Sequence, residues 1–161
     1  MKFSSTTLLF KQNTIMKNTI LVLLITFTAS LSAQKNYFTK KGVVAKGYDV
    51  VSYFNNEAKQ GSKEISIEHD GVKFYFSSQK NLNAFQKKPT KYIPQYGGFC
   101  AYAMGAKGSK VPVNPETFEI RDGKLYLFYN KGNTNTLDLW TKEGADELKT
   151  KADNNWKKIT N

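Results

Sequence analysis

The sequence predicts one small α+β domain, in which a small antiparallel sheet of β-hairpins packs against short helices. Three observations lead to this fold class. Two Asp-Gly pairs are each flanked by alternating apolar residues, which is typical of tight hairpins. Apolar residues at helical spacing lie between these hairpins and after them. The 128 residues that follow a predicted leader, residues 34–161, are enough for one hydrophobic core.

The first 33 residues are predicted to form a secretory signal peptide. Lys17 precedes an apolar run over residues 20–27, and small residues lead up to Ala33, after which cleavage is expected. The run is too short for a membrane-spanning helix, which needs about 20 apolar residues. Met16, directly before Lys17, is an alternative start of translation. The mature protein is therefore expected to be exported, to a periplasm or to the medium.

The charge balance of the chain is strongly basic. The leader carries three of the 24 Lys and Arg residues and none of the 13 Asp and Glu residues, so the remaining chain has a net charge of +8. The basic residues are scattered, and Arg121 is the single arginine. This distribution excludes a nucleic-acid-binding protein, whose basic residues cluster. It indicates a soluble lysine-rich surface, with weak attraction to anionic envelope surfaces as an alternative.

The β-structure is predicted around the two Asp-Gly pairs. Residues 34–46 are basic and indicate an N-terminal tail, so the domain itself is expected over residues 47–161, beginning with a short buried element at residues 47–54. Asp70-Gly71 predicts a type I′ turn between strands at residues 64–69 and 72–76. Asp122-Gly123 predicts a second one, followed by an arm at residues 124–129 that is apolar on both faces and so favours a central strand.

Three helices and one shorter turn are expected. Ser77 or Ser78 can cap a helix that runs to about Lys88 and turns Leu82 and Phe85 toward the core. A short helix is expected over residues 99–104, ended by Gly105. A C-terminal helix is indicated by apolar residues at helical spacing, and a shorter turn is expected before it. The helix is marked by Ala145, Leu148, Ala152 and Trp156, and the turn by Leu137 and Trp140.

Cys100 is the single cysteine of the chain and the leading candidate for a catalytic residue. In an oxidising compartment a lone thiol cannot form an internal disulfide, and it is open to oxidation unless it is buried, metal-bound or used. Gly97 and Gly98 before it let the backbone turn sharply. A helix that starts just after them would stabilise a Cys100 thiolate. The alternative is a buried, structural cysteine.

A metal site is the second candidate. Without the leader the chain holds one Cys, one Met and one His, which are Cys100, Met104 and His69. Cys100 and Met104 are four residues apart and share a face of a helix. Thiolate, thioether and imidazole favour copper, especially Cu(I). The alternatives are that Met104 packs in the core and His69 only flanks a turn, or that His69 activates Cys100 in a hydrolase or peroxidase.

Parts of the sequence resemble a known family. Residues 70–78, with Asn81, Phe85, Pro89 and Tyr92, resemble the YHS domain, whose pattern is a hairpin, Phe-Cys-Ser, a second Cys, a Phe and Asn-Pro-x-x-Tyr. Residues 47–54, 94–103, 122–127 and 155–156 resemble the exported YHS domain-containing proteins, a family whose name includes selenoproteins. Together these segments are spread over nearly all of the mature chain.

The resemblance implies a treble-clef-like core and, elsewhere in the family, heavy-metal handling through paired cysteines. Here Ser77 and Asn81 stand at those cysteine positions, so that metal site does not carry over. Cys100 is expected at the position of the relatives' selenocysteine. The leading hypothesis is an extracytoplasmic YHS-like module that uses Cys100 to bind a soft metal such as copper or for thiol redox chemistry.

The expected pocket of this module consists of six residues near Cys100 in the sequence or in the first buried element. They are Tyr48, Asp49, Tyr96, Gly97, Gly98 and Tyr102. The second hypothesis is a non-enzymatic module that binds a small ligand or a protein partner and in which Cys100 is structural.

Overall fold

Short strands and helices alternate along the part of the chain that the structure, a computed structural model, describes, which is residues 36–160. The strands are β1 (Thr39–Lys40), β2 (Val43–Val44), β3 (Ser62–His69), β4 (Val72–Phe76), β5 (Asn114–Arg121), β6 (Lys124–Phe128), β7 (Asn130–Lys131) and β8 (Thr134–Asn135). The helices are α1 (Gln79–Lys87), α2 (Pro89–Tyr92), α3 (Ala101–Lys107), α4 (Thr136–Glu143) and α5 (Ala145–Thr160). Single 3-10 turns lie at Ala45–Gly47, Ser52–Asn55 and Gln95–Gly98.

The strands form one sheet of four strands in the order β1-β2-β4-β3 and two sheets of two strands, β5-β6 and β7-β8. The α+β class predicted from the sequence is therefore confirmed. The pairs β3-β4 and β5-β6 are antiparallel hairpins, as expected. One pair departs from a purely antiparallel arrangement, because β2 runs parallel to β4, with Val43 opposite Lys73.

Both hairpin turns have the conformation that their sequence predicts. Asp70 and Gly71 have φ values of 50° and 72°, and Asp122 and Gly123 have φ values of 52° and 68°. Positive φ at both central residues defines the type I′ turn, which matches the twist of the strands it joins. The two Asp-Gly predictions are confirmed.

Strand β6 separates two hydrophobic clusters, which explains why it is apolar on both faces. Leu125 and Leu127 belong to a cluster with the aromatic residues of β4 and α1. Tyr126 and Phe128 point the other way, into a cluster around Trp140. The prediction of a central strand is wrong, because β6 pairs with β5 alone in a two-stranded sheet. Its other edge meets a single bridge, from Leu127 to Cys100.

The basic stretch before residue 47 is part of the fold where the structure describes it. Val43, Val44 and Ala45 are buried, and β2 pairs with β4. The prediction of a tail over residues 34–46 is wrong from β1 onward, because these three apolar residues reach the core while Lys40 and Lys41 stay exposed. The predicted signal peptide, residues 1–33, and its alternative start at Met16 lie outside the described residues.

The helices confirm most of the predicted bounds. Ser78 caps α1, because its Oγ accepts a hydrogen bond of 3.2 Å from the Asn81 N–H. Helix α3 continues past Gly105 to Lys107, with Gly108 as its C-cap, so the predicted end at Gly105 is wrong. Gly105 instead lets α3 approach α5, since a Cβ there would lie 2.5 Å from the Leu148 carbonyl oxygen. Over residues 36–160 the structure contains no helix with the length and apolarity to cross a membrane.

Gly97 fastens the N-terminal segment to the 3-10 turn at Gln95–Gly98. The carbonyl oxygen of Gly97 accepts a 2.8 Å hydrogen bond from the Phe38 N–H. The φ of Gly97 is +61°, and a Cβ on it would lie 1.6 Å from the Asn36 carbonyl oxygen. The lack of a side chain at Gly97 therefore lets the segment at Asn36 pack directly against this turn.

Substitution of Gly97 by Ala is expected to lower the free energy of unfolding by at least about 3 kcal/mol, because backbone strain and steric overlap act together. Gly123→Ala is the matched control. Its φ is +68°, but a Cβ there meets nothing within 4 Å. The control should lose about 1 kcal/mol, from backbone strain alone. Urea unfolding of both variants measures the difference, and equal losses would contradict the close approach of Asn36.

Candidate functional site

Cys100 lies at the junction of three elements and is completely buried, with 0% of its surface exposed. It is the N-cap residue of α3, so the helix begins one residue after it. Its N–H donates a 2.9 Å hydrogen bond to the Val111 carbonyl oxygen, and its backbone bridges to Leu127 of β6. The predicted helix start at residue 99 is therefore wrong by two residues, and Cys100 precedes the first turn, with its sulfur inside the protein.

The sulfur of Cys100 has two hydrogen-bonding neighbours. The Tyr129 N–H donates to Sγ over 3.4 Å, and Thr136 Oγ1 lies 3.3 Å from Sγ. The Thr136 hydroxyl donates to the Tyr129 carbonyl oxygen at 2.8 Å, so a neutral thiol donates its proton to Thr136 Oγ1. The thiol is thus satisfied both as donor and as acceptor by its own chain.

The same neighbours could also support a thiolate. The Tyr129 carbonyl oxygen accepts a second hydrogen bond, 3.0 Å long, from the Thr136 N–H. The Thr136 hydroxyl can therefore turn its proton toward the sulfur without leaving that carbonyl unpaired. The arrangement provides donors for a charged sulfur, while burial keeps reagents away from it.

The other two predicted metal ligands lie in different packing environments. Met104 is fully buried in the cluster around Trp140, whereas Cys100 belongs to the cluster on the other side of β6. His69 ends β3, where its ring packs edge-on against Phe85 and its Nε2 lies 3.6 Å from an Asp70 carboxylate oxygen. Among residues 36–160 no group of three or more His, Cys, Asp and Glu side chains could hold a metal ion. The copper site and the Cys-His pair stay predictions.

Asp49 is the most densely hydrogen-bonded of the predicted pocket residues. Its side chain is completely buried. Oδ1 accepts a 2.9 Å hydrogen bond from the Val51 N–H. Oδ2 accepts hydrogen bonds from the Ser77 N–H at 2.8 Å, the Ser77 hydroxyl at 2.7 Å and the Asn81 side-chain amide at 2.7 Å. Four donors therefore compensate the carboxylate for the loss of water.

The partners of Asp49 are the two residues at the cysteine positions of the resemblance. Ser77 follows β4 and Asn81 lies in the first turn of α1, so their side chains meet at 3.5 Å. Ser77 and Asn81 therefore bind the Asp49 carboxylate of their own chain. The sequence reasoning named Asp49 but missed this network. The available signal was an acid inside an apolar run, together with polar residues four apart at a helix start.

The tyrosines of the predicted pocket are hydrogen-bonded to carboxylates of distant elements. Tyr96 donates to Asp153 at 2.9 Å, and burial and this bond together raise the pKa of its hydroxyl. Tyr102 donates to Glu143 at 2.9 Å, and the hydrogen bond raises its pKa.

Tyr48 completes this set. It donates to Glu116 at 2.9 Å, with the same effect on its pKa. Beside the tyrosines, Gly97 contacts Asn36, and Gly98 lies against Pro94. The predicted pocket residues are thus engaged with different parts of their own chain.

Comparisons with known proteins do not supply a family: the sequence matches no protein-family model, no curated protein and no solved structure. The resemblance to the YHS domain therefore rests on the residues quoted above and stays a prediction. The functional argument has to come from the geometry of this chain.

Replacement of Asp49 by Ala is expected to lower the free energy of unfolding by about 3 kcal/mol, because it leaves the Ser77 and Val51 N–H groups without their acceptor. Glu57→Ala is the control, since Glu57 is an exposed acid of the same region and should lose less than about 0.5 kcal/mol. Urea unfolding measures both variants. A loss as small as that of the control would mean that Asp49 does not hold this region together.

Proposed function

We propose that the chain is an exported, non-enzymatic module that binds a small ligand or a protein partner and in which Cys100 is structural. One observation carries the proposal: the sulfur is fully buried, and Tyr129 and Thr136 complete its hydrogen bonding. A catalytic thiol needs an open approach for its reagent. Export is supported by the basic, apolar and small-residue pattern that ends at Ala33.

The distribution of the titratable groups supports the non-enzymatic part of this proposal. Asp49 is enclosed by donors of its own chain, and the carboxylates of Glu116, Glu143 and Asp153 are hydrogen-bonded to tyrosines. These contacts stabilise the fold. The YHS-like assignment belongs to the same proposal, supported by the α+β fold and by the matching segments between residues 47 and 156.

A second candidate function is a single-thiol site, favoured by the position of Cys100 at the start of α3. The Tyr129 N–H and the Thr136 hydroxyl can both point at the sulfur, and the free N–H groups of the helix start add positive potential. Opening of this junction would expose the sulfur to a soft metal such as copper or to a redox partner.

Thiol labelling separates the two candidates. If Cys100 is structural, iodoacetamide should modify the folded protein at least about 1000-fold more slowly than the urea-unfolded protein, because labelling requires opening of the core. Mass spectrometry follows the reaction, and Cys100→Ser is the control that should remain unlabelled in both states. Labelling of the folded protein at the unfolded rate would overturn the structural assignment.

Copper titration tests the second candidate on its own. A working thiolate site should bind one Cu(I) per chain in competition with a chelator, and Cys100→Ala should abolish the binding. Met104→Leu keeps the apolar volume of this buried side chain and should weaken binding if the thioether is a ligand. Equal binding by the wild type and Cys100→Ala would remove the single-thiol metal site.

A further inference from the structure

A long part of the chain carries lysines but no acid. Residues 71–115 contain seven lysines, no Asp and no Glu, and all 13 acidic residues of the sequence lie outside this stretch. The stretch includes β4, α1, α2 and α3. The stretch therefore carries a net charge of +7.

Four of these lysines lie together on α1 and α2. Helix α1 buries Leu82 and Phe85. Lys80 and Lys87 are seven residues apart and lie on the opposite face of the helix, exposed to water. Two more exposed lysines follow at the junction with α2 and within it. We call this set the α1–α2 lysine surface: Lys80, Lys87, Lys88 and Lys91.

The α1–α2 lysine surface has no acidic partner within the described part of the chain. The lysines of residues 36–160 that form ion pairs with carboxylates are Lys63, Lys149 and Lys151. Lys91 instead places its ammonium group over the rings of Phe54 and Tyr92, at 5.6 and 5.2 Å from their centroids. This cation–π contact holds one charge in place and covers the half-buried rings.

We propose that the α1–α2 lysine surface adsorbs this protein to membrane surfaces rich in anionic phospholipids. Lysine is a flexible point charge without the bidentate geometry of arginine. A group of lysines therefore suits a surface of many mobile phosphates better than it suits a single ligand of fixed shape. Four neighbouring lysines are enough for such adsorption, and each one strengthens it about fivefold.

An acidic protein partner fits this surface less well. Protein interfaces depend on apolar or aromatic anchors that fill pockets. The aromatic residues here, Phe54 and Tyr92, pack edge-to-face on each other and lie under Lys91. The proposal concerns a surface distinct from Cys100 and does not depend on whether that thiol is structural.

Vesicle co-sedimentation tests the proposal. The purified protein, with its N-terminus verified by mass spectrometry, should bind vesicles of phosphatidylglycerol and phosphatidylcholine, and not vesicles of phosphatidylcholine alone. The triple variant Lys80→Gln, Lys87→Gln and Lys88→Gln should bind these vesicles about 100-fold more weakly, because the loss of each lysine weakens binding about fivefold. Raising NaCl from about 0.05 M to about 0.5 M should release the wild type.

A matched control separates this surface from net charge. A second triple variant, Lys124→Gln, Lys131→Gln and Lys142→Gln, removes the same number of charges from exposed positions outside residues 71–115. Its affinity for the vesicles should fall less than about tenfold. Circular dichroism checks that both variants are folded. Equal losses in the two variants would overturn the proposal. So would retention on immobilised polyglutamate without any vesicle binding, which would indicate an acidic polypeptide partner instead.

Discussion

The buried carboxylate of Asp49 is the constraint on which the first half of the structure depends. A charge taken out of water is stable only if hydrogen bonds replace its hydration. Asp49 obtains them from Val51, beside it, and from Ser77 and Asn81, where β4 passes into α1. Three of these four hydrogen bonds fasten the buried segment of residues 47–54 to the first hairpin and its helix. Tyr53 of the same segment is fully buried, and its hydroxyl donates to the Pro115 carbonyl oxygen.

The second half is organised by β6, which carries one hydrophobic cluster on each face. Cys100 sits at the edge of this strand, bridged to Leu127, while α3 runs on from it and buries Met104 in the other cluster. Thr136, at the start of α4, closes the same junction through the Cys100 sulfur. A small, weakly polar side chain suits such a position. Chemistry at the thiol would first require the strand edge and both helix starts to separate.

Local signals in the sequence account for most of the fold. Asp-Gly turns, a serine cap and helical spacing act over a few residues, so the hairpins and α1 could be predicted from them. The errors arose where a distant element decides the outcome. Gly105 is typical of a helix end in the sequence, but in the structure it faces Leu148 of α5. The apolar residues of β2 lie between lysines in the sequence, and only the pairing with β4 shows that they form a strand.

The candidate site shows the same limit. Tyr96 and Gly97 were predicted to line a pocket, their partners in the structure are Asp153 and Asn36, and no local pattern indicates such pairs. The same long-range pairing shapes the surface charge. Tyr37, Tyr48, Tyr96 and Tyr102 each donate to a carboxylate of another segment, so acids of this basic chain are held in contacts that stabilise the fold. The lysines of residues 71–115 share their stretch with no acid, and four of them lie exposed on α1 and α2, on elements that do not hold the enclosed thiol.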